Sequence, residues 1–70
     1  MLYFYSAVAY TEEGEVRIAD VKEIKDMIGS EKSFWLEAKI IQKEICYKLK
    51  QQKGIELELD DIVFTAFNSI

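Results

Sequence analysis

Seventy residues, 50% hydrophobic and 31% charged, with no Pro and three Gly, describe one small folded domain spanning 1–70 rather than a disordered chain. The absence of His and the single cysteine, Cys46, exclude an internal disulfide, a Cys–His nucleophile and an ordinary zinc site. The net charge of −4 hides a division: residues 1–31 and 54–70 each carry −4 and residues 32–53 carry +4, so bulk nucleic-acid binding is disfavoured while a local basic ridge stands between acidic flanks.

In chain order, Leu2 to Tyr10 is uncharged and rich in aromatic and small residues, and both of its alternating faces are largely apolar. This predicts a central strand. It is too short to span a bilayer and lacks the basic lead of a signal peptide, which makes a reducing cytoplasm the expected compartment. Thr11-Glu-Glu-Gly14 reads as a hairpin turn with Gly14 where a positive φ is needed, and Glu15 to Ala19 alternates as a returning strand should. Asp20 with Glu23 resembles a capping pair, and Val21, Ile24, Met27 and Ile28 fit one helical face, so a short helix over Asp20–Ile28 is favoured over a continued strand.

Ser30 or Ser33 is placed to cap a long helix that runs to Lys53, where Gly54 supplies the C-cap. Along this helix Phe34, Ala38, Ile41, Ile45 and Leu49 form one broad apolar stripe, flanked by Trp35 and Cys46. Leu36, Ile40 and Tyr47 form a thinner stripe roughly opposite. The tail continues through Ile55 to Leu59, either loop or short strand, bends at Asp60-Asp61, and ends in a strand from Ile62 to Phe67. The expected fold is α+β: a three-stranded antiparallel sheet of order 2-1-3, built from the hairpin and the C-terminal strand, with the long helix packed on one face.

No catalytic or cofactor motif is present: the three glycines lie far apart and make no phosphate loop, so an enzyme is not expected and no cofactor is called for. Glu56, Glu58, Asp60 and Asp61 do not match an EF-hand loop and read as a solvated edge. Cys46 reads as a small packed hydrophobe. Lys39, Lys43 and Lys50 share a narrow arc and are the candidate anion contacts, although a solvated face is the simpler reading and the lack of Arg on the helix weakens base or bidentate phosphate recognition.

The second stripe carries the functional expectation. Leu36, Ile40, Lys43 and Tyr47 have the spacing of a helix-to-helix seam, to be covered by a partner or by the Val21–Ile28 segment. Tyr3 and Tyr5 are expected to add an exposed aromatic patch if the helix covers the Leu2, Phe4 and Val8 face. The expected function is a small non-catalytic protein–protein interaction module, a homodimer. The alternatives are an inhibitor of a host or defence enzyme whose acidic flanks mimic nucleic acid, and a binder of a small anionic ligand such as a nucleotide at an oligomer interface. The Lys-, Glu- and Ile-rich composition resembles that of short phage and mobile-element proteins of low-GC bacteria; this resemblance covers no motif and implies only a protein that acts by binding.

Overall fold

The structure, a computed structural model, describes residues 1–25, 29 and 31–70. Its elements are β1 (Leu2–Thr11), β2 (Gly14–Glu23), the long helix α1 (Glu31–Lys53), a single 3-10 turn (Leu59–Asp61) and β3 (Ile62–Ser69). The three strands form one antiparallel sheet of order β2-β1-β3, so the α+β class and the central place of β1 are as the sequence predicts. The chain forms two compact units, one of residues 1–27 with 62–70 and one of residues 28–61.

In the sheet unit the hairpin turns at Glu12-Glu13. Neither residue takes a positive φ; the twist is absorbed by Gly14 at φ +123°. The Thr11 hydroxyl donates to the Gly14 carbonyl at 2.7 Å and accepts the Glu13 N–H at 3.2 Å, which satisfies the turn locally. From there β1 and β2 pair residue for residue as far as Leu2 opposite Glu23. Met1 and Ile24 extend the ladder, the Ile24 N–H donating to the Met1 carbonyl at 2.9 Å and the Met1 amine donating to the Ile24 carbonyl at 3.2 Å.

This pairing corrects the expected helix over Asp20–Ile28. Asp20 to Glu23 is strand, because the first half of β1 offers a full ladder that local helix propensity does not match. The Asp20 carboxylate still accepts a backbone N–H, that of Val21 at 2.8 Å, but on a strand and not at a helix cap. Asp26, Met27 and Ile28, the rest of that expectation, lie outside the described residues.

Both faces of β1 are apolar by composition, and its neighbours choose between them. Tyr3, Tyr5, Ala7 and Ala9 are buried, while Leu2, Phe4 and Tyr10 are exposed. On the buried side β2 contributes Val16 and Ile18, opposite Ala9 and Ala7, and β3 contributes Ile62, Phe64 and Phe67. On the other side β2 contributes Glu15, Arg17 and Glu23, whose desolvation is costly. A bulge in β3 completes the buried set. Ser6 faces Ala66 and Ala7 faces Phe64, leaving Thr65 as the extra residue. Phe64 and Phe67, three apart, therefore reach the same side. There Tyr5 meets Phe64 edge-on at 6.1 Å, Tyr3 meets Phe67 at 5.6 Å, and the two Phe rings lie 5.7 Å apart.

In the helical unit α1 begins at Glu31, so Ser33 lies inside the helix and is not its cap; Ser30 lies outside the described residues. The C-terminus ends as expected. Gly54 adopts φ +67°, and its N–H donates to the Lys50 carbonyl at 3.0 Å, the bond of a left-handed C-cap. Ala38, Ile41, Ile45 and Leu49 are buried, confirming the main stripe as the inward side of the helix. Residues 55–58 carry no regular structure. They lead to a turn fastened by Asp61, whose carboxylate accepts the Glu58 N–H at 3.0 Å while its own N–H donates to the Glu58 carbonyl at 3.1 Å.

Candidate functional site

The second stripe of α1 faces solvent. Leu36 is 56% exposed, Ile40 45% and Tyr47 66%, and Lys43 between the last two is exposed as well. Geometry explains why these residues share a side: positions i, i+4, i+7 and i+11 on a 3.6-residue period stay within about 60° of one another. Lys39 and Lys50 lie next to them on the same flank, and both are exposed. Lys50 is 3.8 Å from Glu56, an ion pair between two solvent-exposed groups that contributes little. The structure thus groups four of the interface candidates with the three candidate anion contacts on one helix face.

Tyr3 and Tyr5 do not belong to this site or to any exposed patch. They are 7% and 4% exposed, and the expectation that they form a surface aromatic pair is corrected. The Phe64 and Phe67 rings across the ladder hold them on the buried side of the sheet. Trp35, which flanks the main stripe, is not buried with it. It is exposed, set about 100° around the helix from Phe34, and the two rings form a T-shaped pair with centroids 5.7 Å apart.

The residues missed by sequence reasoning are on the outer side of the sheet. Leu2, Phe4 and Tyr10 from β1, Val21 from β2 and Val63 from β3 are all exposed. Register places Phe4 opposite Val21, and Val8 opposite Val63, which makes the patch continuous across three strands. Ser6, Ala19 and Thr65 leave a shallow hollow in its middle, bordered by Val8 and Arg17. The Ser6 and Thr65 hydroxyls hydrogen-bond to each other across the ladder. The available signal is the apolar even-numbered face of β1, which the sequence alone leaves equally open to lying against the helix.

Cys46 borders a second shallow depression with Tyr47, Lys50, Glu56 and Leu57. Desolvation raises its thiol pKa from the ordinary value, and the negative charge of Asp61 adds to this, against a smaller opposing effect of a backbone hydrogen bond. A raised thiol pKa means less thiolate at neutral pH, hence a slow nucleophile. Alkylation of Cys46 by iodoacetamide should run slower than that of a free cysteine peptide at the same mildly alkaline pH. Asp61→Asn should speed it up. Faster reaction of wild-type Cys46 than of the peptide contradicts the assignment.

Among the described residues no group of three or more His, Cys, Asp or Glu is arranged to hold a metal ion. No helix among the described residues is long and apolar enough to cross a membrane. The described residues present two sets of exposed large hydrophobic side chains, one on the sheet and one on α1, in a small α+β fold. No family model, curated protein or solved structure matches the chain.

Proposed function

We propose that this protein is a non-catalytic protein–protein interaction module that forms a homodimer. The carrying observation is the outer side of the sheet, where Leu2, Phe4, Tyr10, Val21 and Val63 stand exposed on a regular, twisted surface. The outward residues of β1, and the whole of β3, carry no charge. A contact centred on β1 and β3 desolvates apolar area, at about 25 cal/mol per Å² buried, while Glu15, Arg17 and Glu23 of the edge strand β2 stay at its rim. Antiparallel sheets pack face to face in this way. Exposed apolar patches of this kind mark association sites. A two-fold arrangement also closes the assembly, because each copy offers the same surface.

Light scattering at high micromolar concentration should report a dimer. Phe4→Glu, or separately Val63→Lys, should return a monomer with unchanged far-UV circular dichroism. A wild-type monomer at that concentration overturns the homodimer.

A further inference from the structure

We infer that the exposed stripe of α1 docks an acidic amphipathic helix of a different protein. The inference rests on the interaction-module reading and gives the helix face a partner distinct from the second copy on the sheet. Leu36, Ile40, Lys43, Tyr47 and Lys50 follow one another at steps of four and three residues, the spacing of a two-heptad seam. One flank of that seam carries Lys32 and Lys39, each five residues before Glu37 and Glu44 on the other flank. Leu36, Ile40 and Tyr47 supply the apolar contacts. The lysine stems can line the rest of the seam while their ammonium heads reach its edge.

Charge decides the occupant. If a second copy packed parallel, Lys32 and Lys39 would face Glu37 and Glu44 favourably, but Lys43 would face Lys43 and Lys50 would face Lys50 across the seam. Packed antiparallel, the seam lysines separate, but Glu37 then faces Glu44 and Lys32 faces Lys53. Either orientation of a self-pair carries like charges at close quarters, a device that selects against that pairing. A foreign helix with Leu-type residues along its seam, carboxylates on the edge that meets Lys32 and Lys39, and uncharged residues on the edge that meets Glu37 and Glu44 has no such conflict. Its carboxylates would answer Lys32, Lys39, Lys43 and Lys50 together, and the Lys50–Glu56 pair is exposed enough to exchange its partner. Nucleic acid is the poorer fit, because it leaves Leu36, Ile40 and Tyr47 uncovered and the helix has no Arg.

The test uses the full chain and two synthetic helical peptides three heptads long, with Leu at every seam position, Gln along one edge and either Glu or Lys along the other. Fluorescence anisotropy should show the acidic peptide binding at least about tenfold more tightly than the basic one, with affinity falling as salt rises. Leu36→Glu with Ile40→Glu should abolish binding without unfolding the chain, and Lys39→Glu with Lys43→Glu should reverse the preference. Equal binding of the two peptides, binding of neither, or tighter binding of a duplex oligonucleotide at the same lysines overturns the inference. So does unfolding of the Leu36/Ile40 variant, which would make the stripe core, or loss of the dimer in it, which would make the stripe the self-interface. A dimer by light scattering with no peptide binding sinks this inference and leaves the module standing; a monomer with no peptide binding sinks both.

Discussion

Ile41→Ala should leave the chain largely unfolded or close to it, while Ile40→Ala, one residue away, should barely register. Ile41 is 0% exposed on the inward side of α1, between Ala38 and Ile45, so truncation removes buried methyl and methylene groups and leaves a cavity. Such a change costs about 2–5 kcal/mol. A chain of this length has a total stability of only about 3–10 kcal/mol, so the loss is a large share of the whole. Ile40 is 45% exposed and leaves no enclosed void. Urea or thermal unfolding followed by circular dichroism reads the difference directly, with a melting-point drop of at least about 10 °C expected for Ile41→Ala. Equal damage from the two substitutions would mean that the inward side of the helix has been assigned to the wrong arc.

That contrast also shows what the sequence discloses well. The helix phase was readable because Phe34, Ala38, Ile41, Ile45 and Leu49 recur on one side while lysines fill much of the other; structure buries four of the five and leaves Phe34 partly covered. Gly14 and Gly54 were readable because each sits where only a residue without Cβ is relaxed, and both take a positive φ. The sheet order followed from an uncharged first strand and an antiparallel return. The face of β1 was not readable from β1 alone, since hydrophobicity is nearly equal on its two sides. It is settled by cross-strand neighbours, Val16 and Ile18 on one side against Glu15 and Arg17 on the other. Asp20–Glu23 misled for a related reason. A carboxylate that accepts a backbone N–H looks the same at a helix cap and on a strand, and only long-range pairing separates them. Of the candidate interface, the helix half was legible as a surplus stripe. The sheet half was hidden by the same two-faced strand that put Tyr3 and Tyr5 on the wrong side.

Tyr5→Ala should be the most damaging change in the sheet, and deletion of Thr65 should be tolerated. Tyr5 is 4% exposed, stands edge-on to Phe64 at 6.1 Å and pairs in register with Phe67. Its removal costs about 3–5 kcal/mol as a large-to-small change. Of that, about 0.5–1.5 kcal/mol belongs to the aromatic contacts themselves, measurable in a double-mutant cycle with Phe64→Leu. Thr65 is the added residue of the bulge, and its side chain points away from this cluster. Taking it out restores strict alternation, and Ile62, Phe64 and Phe67 still fall on the buried side because Ala66 alone then faces Ser6. The deletion forfeits the Ser6–Thr65 hydroxyl bond, which is exposed and so contributes less than about 1 kcal/mol. Chemical denaturation of both variants tests the pair. If losing Thr65 proves as harmful as losing Tyr5, the bulge is itself a structural requirement of β3 and not an insertion that the aromatic cluster absorbs.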